Sequence, residues 1–387
     1  AEYMGTTCCI FSYSRVNMIH CFTAPQMTRR NFFIAAILLC SIASVHARDW
    51  KLTHKQSDDL PAYNHTLAKI LVEYASAVYM SDLTELFTWT CPRCRGFTEV
   101  LQREYFFHFS AIIKNQIQAQ GFEIMDLLVD IEHCLQGFVG VAQNLNSIVI
   151  AFRGTQEHSL QNWVEDLYWK QLDLNYPGMP DAMVHHGFYS AYHNTTIRTG
   201  VINSVKRAKE AFGDLDIMVT GHSMGGAMAA FCGLDLKVNH EAKNVMVVTF
   251  GQPRIGNGVF ASAYLKLVPY TFRVVNDHDI VPHLPPYYSR FPRKTYHHTA
   301  REVWLYKVDM DSLIYEVEKV CDASGEDPTC CKSVLGISIS DHLTYFGVDL
   351  MGKSWRTCSI VMDSLLNGYT SVDDNGNFRV SSKLANL

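Results

Sequence analysis

The chain has 387 residues, with no run of basic residues, no internal repeat and no low-complexity tract. Its formal net charge is −5, so it lacks the clustered Lys and Arg from which a nucleic-acid-binding surface is built. Cys91-Pro92-Arg93-Cys94 has no second C-x-x-C to complete a structural zinc site. Nor does it open a helix after a strand, as thioredoxin-like redox chemistry would require. The apolar run Phe32 to Ala43 is shorter than the roughly 20 residues that cross a bilayer as a helix. No metal and no cofactor is therefore expected. Apolar residues make up 48 %, ample for a core, and a single α/β domain can reach about 250–300 residues.

The N-terminal region reads as an address. Met27-Thr28-Arg29-Arg30-Asn31 is a basic start, Phe32 to Ala43 an apolar stretch, and Val45-His46-Ala47 fits the small-residue cleavage rule. Residues 27–47 are thus read as a secretory signal, with an uncleaved anchor or a transit peptide as the alternative. Residues 1–26 are read as a non-structural leader, and 48–387 as one domain. Secretion changes the reading of the cysteines. Cys91, Cys94, Cys134, Cys232, Cys321, Cys330, Cys331 and Cys358 lie beyond residue 47, and disulfides are expected among them. Asn64-His65-Thr66 and Asn194-Thr195-Thr196 are glycosylation sequons, which point the same way.

The most informative stretch is Thr220-Gly221-His222-Ser223-Met224-Gly225-Gly226-Ala227, a G-x-S-x-G match. Asp216 to Thr220 before it reads as a short buried strand, and Met224 to Leu236 after it as a helix rich in Ala, Met and Leu. A strand-to-helix turn this sharp strains the serine backbone and lifts the hydroxyl clear of the chain. Side chains in place of Gly221 and Gly225 would collide with the neighbouring strand and helix. The bland alternative is a Gly-rich turn with an incidental serine.

A serine nucleophile needs a base and a group that orients the base. Phe272 to Val275 reads as a strand, and Asp277 and Asp279 follow at its end, both able to orient a histidine. Further on, Ile339-Ser340-Asp341-His342-Leu343-Thr344 sets His342 near the start of a helix or turn. With 17 histidines in the chain, any one at a plausible place is weak evidence. His283 is too near Asp279 in sequence to reach a separate turn, while His297 and His298 remain rivals. Acyl transfer also needs donors aimed at the developing oxyanion. The N–H of Met224, next after the serine, is one. Thr155, at the end of the strand-like Ile148 to Phe152, can offer a second N–H and a hydroxyl.

Taken in order, Ala151-Phe152-Arg153-Gly154-Thr155, the serine motif, Asp279-Ile280-Val281-Pro282-His283-Leu284-Pro285-Pro286 and Asp341-His342-Leu343-Thr344-Tyr345-Phe346 resemble the class 3 lipases of filamentous fungi and their plant relatives. The resemblance spans roughly residues 60 to 350. It implies an α/β-hydrolase fold: a mainly parallel sheet with helices on both faces and a short helical lid. It makes Ser223 the nucleophile, Asp279 the orienting acid, His342 the base, and Thr155 and Met224 the oxyanion donors. Asp277, His283 and His298 drop out. The segment Thr88 to Cys94 resembles a short bridged segment of the fungal members, and Cys321 with Cys330 or Cys331 a second bridge.

Leu160, Trp163, Val164 and Leu167 fall at i, i+3, i+4 and i+7, one narrow apolar stripe on a short helix. By pattern alone such a stripe faces the core; the resemblance makes it a lid over the active site. The resemblance further implies a monomeric, secreted serine ester hydrolase acting on acyl lipids at a lipid–water interface, with transient membrane or droplet contact, no nucleic-acid partner and triacylglycerol as leading substrate. A phospholipase A1, a galactolipase or a feruloyl-type esterase would keep the same triad, and a non-catalytic lipase-like scaffold would use the fold for binding alone. A helix is expected from Asn64 to Met80 and another over 188–212. Strands are expected near 124–130, 135–142, 147–153, 215–220, 245–250, 271–275 and 302–308. Thr98 to Gln120 reads as an atypical insertion.

Overall fold

The segment Val245–Phe250 (VMVVTF) is apolar at every position but Thr249 and buried at every position but Met246, the signature of a central strand covered on both faces. The computed structural model that contains it describes residues 62–94, 121–155, 170–287, 295–299, 301–310, 313–351 and 360–382. The leader and signal segments (1–47), the insertion at 98–120 and the apolar stripe of Leu160, Trp163, Val164 and Leu167 lie outside the described residues.

The main sheet has ten strands. They are β1 (Phe122–Asp130), β2 (Leu135–Ala142), β3 (Ser147–Phe152), β4 (Asp216–His222), β5 (Val245–Phe250), β6 (Thr271–Asn276), β7 (Glu302–Met310), β8 (Leu313–Val320), β9 (Thr370–Val372) and β10 (Phe378–Ser381). Their spatial order is β8-β7-β6-β5-β4-β3-β2-β1-β10-β9. The five strands β3 to β7 run parallel. Antiparallel strands extend the sheet on both sides.

The described α-helices are α1 (His65–Ala77), α2 (Leu83–Phe87), α3 (His186–His193), α4 (Thr196–Phe212), α5 (Met224–Val238) and α6 (Gly258–Leu267). Successive side chains of a strand point to opposite faces, and β3 sorts its own accordingly. Val149 and Ala151 join the layer that holds Leu71 and Tyr74 of α1. Ile148, Ile150 and Phe152 join the layer that holds Val201 of α4, Phe231 of α5 and Phe260 of α6. The helices thus cover both faces of an α/β-hydrolase sheet.

The helix expected over 188–212 is two helices. Thr195 leaves helical geometry (φ −125°, ψ 174°) and its hydroxyl accepts from the Ile197 N–H at 3.4 Å, capping α4. Apolar periodicity runs through this break because a cap changes the backbone without changing which face is apolar. Strands β8, β9 and β10 were not expected. β9 and β10 have three and four residues, too few for a pattern to register, and β10 owes its place to pairing with β1 from Asp126↔Ser381 to Val129↔Phe378.

Candidate active site

The carboxyl ends of the parallel strands bring three loops together, as open α/β sheets do. Ser223 closes β4 and caps α5 with φ 57° and ψ −127°. A non-glycine residue costs on the order of 1–3 kcal/mol in such a conformation, and packing must hold it there. A Cβ on Gly221 would lie 2.3 Å from Gly225 O, and one on Gly225 2.2 Å from Phe152 O, so both positions exclude any side chain. The Ser223 N–H donates to Phe250 O at 2.9 Å. The hydroxyl is buried without a hydrogen-bond partner among the described residues.

Asp279 and His342 form a fully buried pair, with His342 Nδ1 donating to Asp279 Oδ2 at 2.8 Å. The same Oδ2 accepts from the Tyr345 hydroxyl at 2.5 Å, and Oδ1 accepts from the Val281 N–H at 2.8 Å. Burial, and then the neighbouring Asp279 charge, hold the Tyr345 phenol well above its usual range, so it stays a donor. With Nδ1 engaged, His342 turns Nε2 free: that atom too is buried without a partner among the described residues. Catalytic hydrogen bonds are often open in a substrate-free site and tighten when substrate arrives.

A second tier positions this pair. Asn276, the last residue of β6, donates from Nδ2 to Asp341 O (3.1 Å) and Thr344 O (2.9 Å), clamping the histidine turn. Gly251 has φ +58°; a Cβ there would sit 2.7 Å from His342 Nδ1 and 2.9 Å from Asp279 Oδ2. His222, beside Ser223, is fully buried, and burial, then the nearby His342, hold it neutral well below its usual range. Its Nε2 is 2.8 Å from His342 O and its Nδ1 2.9 Å from the Tyr79 hydroxyl, which accepts the Gly154 N–H at 3.0 Å. The carbonyl can only accept, so a neutral ring must carry its proton on Nε2 and take the Tyr79 proton at Nδ1.

The oxyanion candidates lie together: Thr155 Oγ1 is 3.8 Å from the Met224 sulfur. Met224 opens α5, where first-turn N–H groups have no intrahelical acceptor. The rival residues are engaged elsewhere. Asp277 Oδ1 pairs with His278 Nδ1 at 2.7 Å. The two ring nitrogens of His283 face the carbonyls of Asp279, Cys331 and Val334. His298 is buried, with Nε2 on Pro282 O at 2.7 Å, and the His297 ring packs edge-on to Tyr287. Among the described residues, Asp277, His278 and Asp341 bring metal-ligating atom types within 4.8 Å of one another, and the His278–Asp277 bond uses part of that set. Glu302, Cys321 and Cys330 also gather, but both sulfurs are in a disulfide.

Two bridges join described cysteines, Cys91–Cys94 and Cys321–Cys330, and Cys134 is also in a disulfide. Cys331, the other partner open in the sequence, is a buried free thiol with Sγ 3.1 Å from Glu302 Oε2. Tyr79 gave no sequence signal, because it meets His222 across 143 residues. His222 and Tyr345 sit inside the recognised motifs, yet nothing local reveals what they hold.

A serine on a strained strand-to-helix turn, at the carboxyl edge of a sheet that also carries a buried carboxylate–imidazole pair, defines the α/β-hydrolase class. Residues 149–289 match the family described as Lipase (class 3). It is 34 % identical to a lipase of Rhizomucor miehei over 208 residues, 52 % of this chain and 53 % of that one. It is 32 % identical over 228 residues to lipase ZK262.3 of Caenorhabditis elegans (58 % and 56 % covered), and 30 % over 224 residues to secreted mono- and diacylglycerol lipase 1 of Fusarium solani (57 % and 61 %). The chain spans about half the length of the first of these curated relatives. Among solved structures, the Rhizomucor miehei lipase propeptide complex matches at TM-score 0.59 with 27 % identity, covering 76 % of this chain and 84 % of that one. A triacylglycerol lipase whose catalytic centre is a serine protease triad matches at TM-score 0.58 with 26 % identity (76 % and 98 % covered).

Proposed function

We propose that this protein is a secreted serine ester hydrolase of acyl lipids, with triacylglycerol as its leading substrate, and that Ser223, Asp279 and His342 are its triad. The observation that carries the reading is the buried 2.8 Å Asp279–His342 bond, which leaves Nε2 as the open nitrogen of a ring whose backbone is held at 2.8 Å by His222, the neighbour of Ser223. His342 Nε2 takes the Ser223 proton as Oγ attacks the ester carbonyl. Asp279 fixes the Nδ1–H tautomer and steadies the imidazolium. The Met224 and Thr155 N–H groups receive the oxyanion. His342 then protonates the leaving alcohol, and water cleaves the acyl-enzyme by the same base.

The substrate reading is supported by relatives that are lipases, one of them a secreted mono- and diacylglycerol lipase. The disulfides support a secretory compartment, together with the signal-like segment 27–47. Leu160, Trp163, Val164 and Leu167 are assigned to a lid on the strength of their periodicity and their place after Thr155. An alkyl phosphonate ester tests the centre directly: peptide mass mapping should find the adduct on Ser223 with loss of activity. Hydrolysis of triolein, phosphatidylcholine, galactolipid and methyl ferulate in parallel ranks the substrate class. Labelling at another residue overturns the triad; a preference for phosphatidylcholine or ferulate overturns the substrate.

A further inference from the structure

A cavity of about 550 Å³ lies outside the site described above, between the end of β1, the start of α4 and the β9–β10 hairpin. Cavities of about 300–1,000 Å³ are the size that receives small ligands. Its lining mixes uncharged polar side chains, among them the exposed Asn203 and Asn375, with the ionisable Asp130, Glu132, Asp373 and Arg379, backed by the ring of Phe378 and by Val372, which is 66 % exposed. A mix of amides, hydroxyls and one aromatic ring suits a sugar, whose two sides are polar hydroxyls and apolar C–H faces.

The exposed side chain of Asn194 also lines this cavity, and Asn194 opens the sequon Asn194-Thr195-Thr196. It caps the C-terminus of α3, with Nδ2 donating to Ser190 Oγ at 3.2 Å. We propose that Asn194 is N-glycosylated and that the first sugars of its glycan seat in this cavity against the β9–β10 hairpin. The inference rests on the secretory reading above. The transfer takes place on the chain before it folds: Asn194 Nδ2 gives up one hydrogen and bonds to the sugar C1. The C1–O bond to the diphosphate of a lipid-linked oligosaccharide breaks, and the lipid diphosphate leaves with the displaced proton balanced in solvent. The remaining Nδ2–H can keep its bond to Ser190. Asn64, the other described sequon, caps α1 and holds the Leu67 N–H with Oδ1 at 2.9 Å, and it is not among the residues that line the cavity. It serves as the internal control.

The test uses the full chain secreted from a eukaryotic cell. Glycopeptide mass analysis should find Asn194 occupied. In native protein a peptide:N-glycosidase should release the Asn194 glycan about tenfold or more slowly than after denaturation, because the cleft must open locally first. Amide exchange at 370–382 should quicken in Asn194→Gln and stay unchanged in Asn64→Gln, with ester hydrolysis equal in both. Occupancy at Asn64 alone overturns the proposal and leaves secretion standing. No glycan at either sequon with an intact segment 27–47 overturns both. Equal release from native and denatured wild-type protein overturns the seating whatever the variants do.

Discussion

The His222 side chain, next to Ser223, donates from Nε2 to the backbone carbonyl of His342 across 2.8 Å. The residue that precedes Ser223 therefore fixes the backbone that carries the His342 ring. Tyr79 completes the relay by bridging His222 Nδ1 and the N–H of Gly154, the residue before Thr155. One buried chain of hydrogen bonds thus links the serine turn, the histidine turn and the strand exit that leads to Thr155.

Removing the middle of that chain should be felt in rate as well as in stability. Tyr79→Phe deletes one hydroxyl and leaves the Gly154 N–H and His222 Nδ1 buried and unmet, a loss of about 1–3 kcal/mol. With His222 and the strand exit at Gly154 no longer tied together, kcat should fall about tenfold with little change in KM, as expected when alignment rather than binding is lost. Urea unfolding and steady-state kinetics on a soluble ester check both; wild-type values for kcat and midpoint together would mean that the relay aligns nothing.

Ser223→Ala and His342→Ala should each lower kcat by on the order of 10⁴ or more while the protein stays folded, because members of a triad act as a unit. Retention of a tenth of wild-type kcat by either folded variant would exclude that residue from the triad.

The two acids of the 277–279 turn separate cleanly. Asp279→Asn removes the acceptor for His342 Nδ1 and for Tyr345, and should cost about 10⁴-fold in kcat. Asp277→Asn touches only the half-exposed His278 pair and should be mild. Reversal of the two effects would transfer the orienting role to Asp277.

Acid should weaken the fold through its buried histidines. Burial lowers His193 from 6.5 to about 4 and holds His222 and His298 well below their usual range. A histidine depressed in the folded state binds fewer protons there than in the unfolded chain, so its contribution is complete above about pH 6.5 and shrinks as pH falls below it. The slope approaches about 1.4 kcal/mol per pH unit for each such group. Urea midpoints should drop steadily from pH 7 to pH 4.5, and His298→Gln should flatten the slope by about one proton. A midpoint constant over that range would contradict the assignment.

Interfacial action is tested at Trp163. Trp163→Ser should depress hydrolysis of emulsified triolein about ten- to a hundredfold, since an indole at an interface is worth roughly 1.5–3 kcal/mol, and should spare a soluble short-chain ester. Equal loss on both substrates, with a lowered melting temperature, would place the stripe in the core.

The elements that the sequence reveals most fully are those whose signal is local. Strands β2 and β5 have the expected bounds because their apolar runs stop at turn residues. Ser223, Asp279 and His342 stand out because each sits in a contiguous motif, and the structure brings Asp279 and His342 into contact. What stayed hidden is held at a distance. Tyr79 reaches His222 from another element, Asn276 clamps a turn 65 residues on, and β10 pairs with a strand some 250 positions away. The choice of Cys330 over Cys331 is of the same kind. Both are near enough in sequence to Cys321, and only the packing of Glu302 against the Cys331 thiol tells them apart.

Gly251 bears on how this protein can diversify. The space that a methyl group would take there is already filled by the His342 ring and the Asp279 carboxylate. A larger residue would have to part the acid from the base before it could pack, so no graded series of substitutions leads away from glycine. Drift in sequence is thereby turned away from this wall toward positions that touch neither Asp279 nor His342, where side chains can change size one step at a time and leave their bond intact.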